Sequence, residues 1–495
     1  MYLPSAPTDE EKYCYLKGQR PVVYSLGLVS FFSLAIGMWL FVFASSSFAW
    51  FAVFAFIVTA YLGLSYLVGV LGEDFDFRRH EVIVRSWQSI KPSVDVFLPC
   101  CGEPIEVLRN TYRHVARLDW PSFKVYVLDD GNSGEVQKAA SEFGFEYVVR
   151  PNRGELKKAG NLRHAFSMSH GEFIVILDAD FCPRPDFISE VIPYFFEDKS
   201  IGLVQTPQFF TVEDDQSWVE KGASYVQELF YRLIQVSRDK WGAAICVGSC
   251  SVARRSALAP HGGTAAIGYS EDVHTGFYLV NDGWVLKYIP INLAKGVCPD
   301  RLPGFFIQQY RWAMGSITLF LNKKFWSSGL TFMQKLCYLS GMLYYIGTGV
   351  GVFAVGIPSL VLLYFAPHQL MWYNLAFSVP SLVYGTVIMA LWSKARFGWY
   401  APRVRIVGYY AHVFALIDKL RDTAVAWVPT GAAKKISRFD SFKKLMFAWM
   451  SLITFGTACG IAYRVGQFPW YNFLPLALFT AYNYWISFTV LRDQE

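Results

Sequence analysis

The chain has 495 residues and a net charge of +6, and 53% of its residues are hydrophobic. The positive excess does not require a nucleic-acid partner, because much of it lies in one segment, residues 394–444, between apolar blocks. Nine cysteines occur without a CxxC or a paired zinc spacing. We therefore expect neither a disulfide framework nor a metal cluster, and reduced cytosolic thiols.

Apolar blocks near both ends of the chain predict membrane-spanning helices. They are almost uncharged, and most are long enough to cross a bilayer. The first block is not a signal peptide, because it lacks a compact basic start and a small-residue cleavage site, and a second block follows at once. The blocks are residues 22–44, 50–71, 336–365, 371–392, 446–463 and 473–488.

The third block is ambiguous, since three glycines and Pro358 would allow either one long broken span or a tight hairpin. The positive-inside rule favours one span, because the basic segment 394–444 should be cytosolic like the soluble domain. We thus predict six helices in the cell (plasma or inner) membrane, with both termini cytosolic. The predicted parts are a cytosolic N-terminus (1–21), a transmembrane hairpin (22–71), a soluble domain with interfacial helices (72–326), helices three and four (327–393), a basic cytosolic segment (394–444), and helices five and six (445–495).

The soluble domain alternates short, β-rich apolar runs with helical patterns. This alternation predicts a parallel-type α/β sheet, in which ligands bind at the carboxyl ends of the strands. The runs are residues 94–98, 125–128, 147–149, 173–177 and 203–205, and the helical patterns are residues 105–118, 135–143 and 156–168.

Two of these runs end in carboxylates: Asp129 and Asp130 after one, Asp178 and Asp180 after another. Acidic residues in such places are often only loop caps. Two carboxylates in an Asp-x-Asp pattern can also share Mg²⁺ or Mn²⁺, which fills its coordination shell with substrate phosphates. The sequence therefore predicts a metal site at Asp178 and Asp180.

Two helical stretches carry both a structural and a functional interpretation. In "ELKKAGNLRHAF", Lys158 could lie on a solvated face or bind a diphosphate, and Gly160 inside a helix indicates a close backbone approach. In "GYSEDVHTGF", Glu271 and Asp272 could cap a helix, where acids are favoured, or Asp272 could serve as a general base.

The stretch "FIQQYRWAMGS", residues 306–316, precedes the third apolar block. Arg311 and Trp312 could simply anchor a helix at the membrane interface. The alternative is that Arg311 faces a phosphate and Trp312 faces a sugar.

Taken together, these stretches resemble the membrane-embedded, processive family-2 glycosyltransferases, above all bacterial cellulose synthase catalytic subunits. The order and spacing of the motifs agree, as do the flanking apolar blocks. The motifs are DDG (129–131), KAGN (158–161), DAD (178–180), VQTPQFF (204–210), SED (270–272) and QQYRW (308–312).

The resemblance implies a GT-A, Rossmann-like fold and an inverting transfer from a UDP-sugar, with UDP-glucose as the first choice. It implies roles for the candidate residues: Asp130 with Asp129 contacts uridine, Lys158 and Asp178 face the diphosphate, Asp178 and Asp180 hold Mg²⁺ or Mn²⁺, Asp272 is the base, and Gln308, Arg311 and Trp312 line the acceptor entrance.

Several features depart from the family pattern. "CCGEP" (100–104) stands where TYNEP is common, so an aromatic partner for uracil is absent, and Val247 replaces the usual cysteine before Gly-Ser. The gating-loop pattern is absent as such, but "WVPTGAAKK" (427–435), with Thr430, is a candidate counterpart that would close over bound nucleotide. No PilZ domain is expected, and so no cyclic di-GMP binding of the usual kind.

Three functions stay open at this level. The first is a processive synthase that binds a UDP-sugar and a growing polysaccharide in the bilayer, with room for accessory export subunits; a hyaluronan- or chitin-type polymer is an alternative product. The second is a non-processive transfer to a lipid acceptor. The third is a membrane channel or scaffold with an inactive transferase domain. Polar and aromatic residues in the later spans could line an export path, or could serve as interfacial belt residues and helix-packing contacts: Tyr344, Tyr345, Asn374, Tyr384 and Tyr482.

Overall fold

The computed structural model describes residues 3–16, 20–210, 212–393, 398–423 and 437–493. Its strands form one seven-stranded and one three-stranded sheet. They are β1 (Val94–Cys100), β2 (Phe123–Asp129), β3 (Glu146–Val148), β4 (Phe173–Ile176), β5 (Cys182–Pro183), β6 (Ile201–Gln205), β7 (Phe209–Phe210), β8 (Ser251–Arg254), β9 (Val285–Tyr288) and β10 (Ala294–Gly296).

The large sheet has the order β3-β2-β1-β4-β8-β6-β9. Strands β3, β2, β1 and β4 run parallel, which aligns Cys100 with Asp129 at the carboxyl edge. The predicted α/β class is confirmed, but the expectation of a parallel-type sheet is wrong for β8, which runs antiparallel to β4 and β6. The reason is the connection: Gln205 at the end of β6 pairs with Ser251 at the start of β8, so the chain re-enters the sheet from its carboxyl edge.

Helices cover both faces of the sheet and build the membrane region. Those before and within the sheet domain are α1 (Asp9–Lys12), α2 (Arg20–Ala44), α3 (Ala52–Leu71), α4 (Phe77–Trp87), α5 (Ile105–Val115), α6 (Gly134–Glu142), α7 (Lys157–Met168), α8 (Phe187–Val191), α9 (Pro193–Glu197), α10 (Trp218–Leu229), α11 (Gln235–Asp239), α12 (Arg255–Leu258) and α13 (Glu271–Asn281). The later helices are α14 (Leu302–Phe320), α15 (Lys323–Trp326), α16 (Phe332–Ala354), α17 (Ile357–Phe365), α18 (Val379–Val383), α19 (Met389–Ser393), α20 (Ala401–Leu420), α21 (Ser437–Arg464) and α22 (Leu474–Arg492).

The sheet core is apolar because its central strands are covered on both faces. All seven residues of β1 are buried. Asp95 is the polar exception, and its carboxylate accepts hydrogen bonds from the Arg255 guanidinium at 2.9 Å and the Gly171 amide at 2.5 Å. A buried charge is tolerated only when it is paired in this way.

Six helical segments of the described chain are long and apolar enough to cross a membrane, in agreement with the predicted number. Large apolar side chains on them are exposed, which is the pattern of helices facing lipid rather than a core. The segments are Arg20–Ala44, Ser46–Leu71, Phe332–Phe365, Asn374–Ser393, Arg438–Arg464 and Trp470–Arg492.

The ambiguous third block consists of α16 and α17 in series. Val355 and Gly356 between them keep right-handed helical dihedral angles, and Pro358 lies in the first turn of α17. The chain therefore continues in one direction through the break, as in the one-span interpretation, and does not reverse as a hairpin would.

Helix α20, from the basic segment, packs along α14. The Tyr310 hydroxyl donates to the Asp418 carboxylate at 3.0 Å, and the rings of Phe306 and Phe414 are 6.0 Å apart. This contact holds the QQYRW stretch between the sheet domain and the membrane helices.

Candidate active site

The turn after β2 is held by Asp129. Its buried carboxylate accepts hydrogen bonds from the amides of Gly131 and Ser133, both at 2.7 Å, and from the Tyr147 hydroxyl at 2.9 Å. Asp129 thus shapes the loop, whereas Asp130, the next residue, lines the adjoining cavity.

Asp130 is paired with Arg150, which the sequence reasoning missed. Two parallel hydrogen bonds of 2.6 Å join the guanidinium to the carboxylate, and Arg150 also donates to the carbonyls of Glu155 and Lys157. A Cβ on Gly160 would lie 2.2 Å from the same guanidinium. The close approach predicted at Gly160 is therefore present, and it involves both the Arg150 guanidinium and the Glu155 carbonyl oxygen, from which a Cβ would also lie 2.2 Å.

Asp178 and Asp180 follow β4 at the same edge of the sheet. The Lys158 ammonium forms an ion pair with Asp178 and donates to the Gly248 carbonyl at 2.7 Å. Burial, and then the charge of Asp178, raise the pKa of Asp180 from 3.8 to about 7. Burial also raises the pKa of Glu103, whose carboxylate lines the same cavity.

These carboxylates fit a divalent cation. No group of three or more His, Cys, Asp or Glu side chains suited to a metal occurs among the described residues, so protein ligands alone would not complete a shell. Asp178 and Asp180 can supply two hard oxygen ligands, and the raised pKa of Asp180 reflects a negative charge that a cation would stabilise. A Mg²⁺ or Mn²⁺ ion sharing substrate phosphates requires no more protein ligands than this.

Asp272 lies in the first turn of α13, beside Glu271. Burial, and then the charge of Glu271, raise the pKa of Asp272 from 3.8 to about 7. Gly248 has a φ of +73°, and a Cβ there would lie 3.1 Å from the Asp272 carboxylate. The Gly248 backbone therefore packs directly against the acid, and a larger residue would crowd it.

The SED stretch and the helical turn that follows it are attached to α14 by two polar contacts and one close packing contact. The Ser270 hydroxyl donates to the Arg311 carbonyl at 2.9 Å, and the His274 imidazole lies 3.3 Å from the Gly315 carbonyl. A Cβ on Gly315 would lie only 2.2 Å from the Ser270 Cβ. The predicted base and the QQYRW motif are thus held together. Neither motif, taken by itself in the sequence, indicates this contact.

Gln308, Arg311 and Trp312 all line the cavity, on the helix face that looks toward Asp272. Burial lowers the pKa of the Arg311 guanidinium, while Glu271, Asp178 and Asp272 act in the opposite direction. The Gln308 side-chain carbonyl is buried without a hydrogen-bond partner among the described residues. Both side chains therefore have donor or acceptor capacity available for a ligand.

One continuous cavity of about 2040 Å³ connects these groups. Its lining includes Asp130 and Asp178 at the sheet edge, Asp272 and Trp312, and Tyr344 on α16. Tyr345, Arg405 and Tyr409 line the same end. Tyr384 is instead packed in an apolar cluster with Tyr66, and Asn374 donates to the Gln369 carbonyl. The loop 427–435, with Thr430, lies outside the described residues.

The sheet order, the strand-end carboxylates and the buried acid of α13 define a GT-A fold with a glycosyltransferase-type site. The mannosyltransferase PcManGT from Pyrobaculum calidifontis, solved with GDP-Man and Mn²⁺, shares this fold with a TM-score of 0.52 and 17% identity, covering 75% of this chain and 99% of that one. The predicted fold class is confirmed.

Family comparisons assign the domains. Residues 95–262 match the family model "Glycosyl transferase family 2", and residues 241–421 match the family model "Cellulose synthase". The two matches overlap and together extend from residue 95 to residue 421, and the predicted resemblance to bacterial cellulose synthase catalytic subunits is confirmed.

Two curated relatives show the extent of the similarity. The chain is 34% identical over 280 residues to "Cellulose synthase catalytic subunit [UDP-forming]" of Xanthomonas axonopodis pv. citri (strain 306), covering 55% of this chain and 37% of the relative. It is 34% identical over 314 residues to "Cellulose synthase 1 catalytic subunit [UDP-forming]" of Komagataeibacter xylinus, covering 62% and 42%. The chain spans less than half the length of these relatives.

Proposed function

We propose that this protein transfers a sugar with inversion from a UDP-sugar, UDP-glucose in the first instance, to the end of a growing β-linked polysaccharide. The observation that carries the proposal is the single cavity, which joins Asp130 and Asp178 to Asp272 and then to tyrosines between the membrane-region helices. Donor, base and exit path would thus share one continuous cavity.

The donor nucleotide would bind at the carboxyl edge of the sheet. Asp130, held by Arg150, would accept from the uridine, and Asp129 would shape the loop that presents it. Lys158 would neutralise part of the diphosphate charge. Burial opposes the charge of Lys158, but the neighbouring Asp178 and Glu271 raise its pKa, so it stays protonated when the donor arrives.

Asp178 and Asp180 would hold Mg²⁺ or Mn²⁺, and the ion would supply electrostatic stabilisation to the diphosphate as UDP leaves. Arg311 would contribute the same kind of stabilisation from α14. Its charge has no hydrogen-bonded carboxylate partner among the described residues, and Arg is suited to phosphate by its fixed fork of donors.

Asp272 would act as the general base. The acceptor hydroxyl oxygen attacks the anomeric carbon, the bond from that carbon to the UDP oxygen breaks, and the hydroxyl proton passes to the Asp272 carboxylate. A base with a pKa near the operating pH is well matched to this step, and such a base contributes roughly 10²–10⁴-fold. Trp312 would place its flat indole under the acceptor sugar, with Gln308 available for a hydroxyl.

The membrane-side tyrosines support coupled export. Tyr344 and Tyr345 lie on α16, and Tyr409 on α20, beyond Trp312 in the same cavity. Aromatic rings give flat apolar surfaces for sugars and carry polar hydroxyls as well. With the catalytic domain and both termini on the cytosolic side of the cell membrane, the polymer would leave between these helices.

Purified protein in lipid nanodiscs tests the proposal. UDP release is measured for a panel of UDP-sugars with Mg²⁺ or Mn²⁺, followed by size and linkage analysis of any product. A polymer with β linkages supports the proposal. A single glycosyl-lipid product would instead establish transfer to a lipid acceptor, and no UDP release from any donor would leave a channel or scaffold with an inactive domain.

A further inference from the structure

Two arginines that form no ion pair with a carboxylate among the described residues line the cavity near the membrane-region helices. Arg238 lies on α11 and is only 3% exposed, and Arg405 lies on α20 and is half-buried. The Arg238 guanidinium donates to the Ser340 hydroxyl at 3.0 Å, but its Nε atom is buried without a partner among the described residues. The Arg405 guanidinium lies 6.0 Å from the centre of the Tyr225 ring.

This arrangement differs from that of other buried arginines in the chain. Arg150 is paired with Asp130 at 2.6 Å, and Arg232 with Glu228 at 2.8 Å. Among the described residues, neither Arg238 nor Arg405 lies within ion-pair distance of a carboxylate, and Glu495 is the only Asp or Glu outside that set. Burial of an unpaired charge is costly, and here burial lowers the pKa of Arg238.

The acidic residues that line the cavity come from other elements. Helices α3, α11, α16 and α20 contribute the two arginines to the described lining, and no Asp or Glu. Instead they provide hydroxyl groups and aromatic rings, on Ser65, Ser237, Ser340, Tyr344, Tyr345 and Tyr409. Gly341 permits the approach of Arg238 to α16, since a Cβ there would lie 3.2 Å from the guanidinium.

We infer that Arg238 and Arg405 are two anion-binding positions in one cavity for an acidic glycan, that is, an acceptor chain bearing carboxylate or phosphate groups on its sugars. This inference rests on the proposed function and revises its product: at least part of the growing chain carries acidic sugars, which UDP-glucose alone cannot supply. A neutral glycan would offer only hydroxyl groups to the two guanidinium groups, whereas a carboxylate or phosphate would satisfy their charge and accept two hydrogen bonds from each fork. The neighbouring hydroxyls and rings match sugars better than they match lipid chains.

Equilibrium binding to the full chain in nanodiscs tests the two anion-binding positions. The probes are a fluorescently labelled uronic-acid tetrasaccharide, a neutral cello-tetraose with the same label, and a labelled polyprenyl phosphate. We expect the acidic probe to bind about 10-fold more tightly than the neutral one at low salt, because hydrogen bonds to charged groups are the strong ones, and the preference to fall as salt screens the charges.

Arg405→Gln and Arg238→Gln should each reduce this preference at least fivefold, and Arg405→Lys should restore part of it. Arg85→Gln, which removes a charge from the exposed helix α4, is the control and should leave the preference unchanged. If Arg238→Gln does not fold, Arg405→Gln still decides the outcome.

Equal binding of the acidic and neutral probes, or a preference that survives both substitutions, would overturn the inference. Arginine-dependent binding of polyprenyl phosphate without binding of the acidic glycan would also overturn it, in favour of a lipid phosphate. UDP release by the unsubstituted protein is measured in parallel, so that failure of the transferase proposal is distinguishable from failure of the anion-binding inference.

Discussion

Replacement of Asp272 by Asn tests both the chemistry and the electrostatics of the site. Asn cannot accept the proton of the acceptor hydroxyl, so the rate of sugar transfer should fall at least about 100-fold, the lower end of general-base effects. UDP affinity should stay within about threefold of the unsubstituted protein, because the donor-binding groups Asp130 and Lys158 belong to other elements.

The same substitution should stabilise the fold at high pH. Asp272 has a pKa of about 7 in the folded protein against 3.8 ordinarily, so the folded state binds more protons than the unfolded state between these values, and stability falls as pH rises through that window. A shift of about three units corresponds to at most about 4 kcal/mol, which the neutral Asn removes. The gain should therefore appear at pH 8 and largely vanish near pH 4.

The assay combines transfer rate with thermal unfolding at both pH values. Asp282→Asn, at the other end of α13, is the matched control and should keep full activity, because Asp282 pairs with His261 and both side chains are partly exposed. A residual rate above about a tenth of the original would contradict the base assignment. Unchanged stability at pH 8 would contradict the buried, repelling pair of acids.

Three further outcomes follow from the site. Activity should be lost in excess EDTA and in Asp180→Asn, and full turnover in EDTA would contradict the metal site. The Mn²⁺ affinity should increase between pH 6 and pH 8, because the Asp180 carboxylate must lose its proton to bind the ion. Arg150→Lys should weaken UDP binding about 10-fold with little change in the rate at saturation, since Lys cannot replace the two parallel hydrogen bonds to Asp130, and an unchanged UDP dissociation constant would refute this. Gly315→Ala should lower the transfer rate more than UDP affinity because its Cβ would collide with Ser270, whereas Gly329→Ala, where a Cβ has open space, should be silent; equal rates in the two variants would refute the coupling of the SED stretch to α14.

The sequence alone was sufficient for features that local patterns determine. Apolar, β-rich runs ending in acids predicted β2 and β4 and the position of Asp130 and Asp178, because strand composition and turn chemistry are read over a few residues. The antiparallel β8 was not predicted, since its direction depends on where the chain re-enters after two helices. No local pattern pairs Arg150 with Asp130, 20 residues away, or explains why α7 needs Gly160.

The same limit applied to Asp272, the proposed base. "SED" marked this residue, but its raised pKa depends on burial and on the charge of Glu271, and the Gly248 turn that packs against it comes from a distant part of the chain. Arg238 and Arg405, which lack a carboxylate partner among the described residues, are likewise recognised only once α11, α16 and α20 are seen to line one cavity. Burial and long-range pairing are properties of the folded chain. The motifs therefore identified the site residues, but not the neighbours that set their charge and pKa.

The packing of α14 against α20 has a consequence for biosynthesis. Ser270, which precedes the proposed base in the chain, packs closely against Gly315 of α14. Helix α14 in turn packs against α20, where the Asp418 carboxylate accepts a hydrogen bond from the Tyr310 hydroxyl. A nascent chain that ends at residue 330 would contain the predicted donor and base residues except Thr430, yet its α14 would still lack this support. The proposed active site is therefore complete only once α20, which follows the third and fourth candidate membrane segments, has packed against α14, and a chain stalled before that point should not turn over donor.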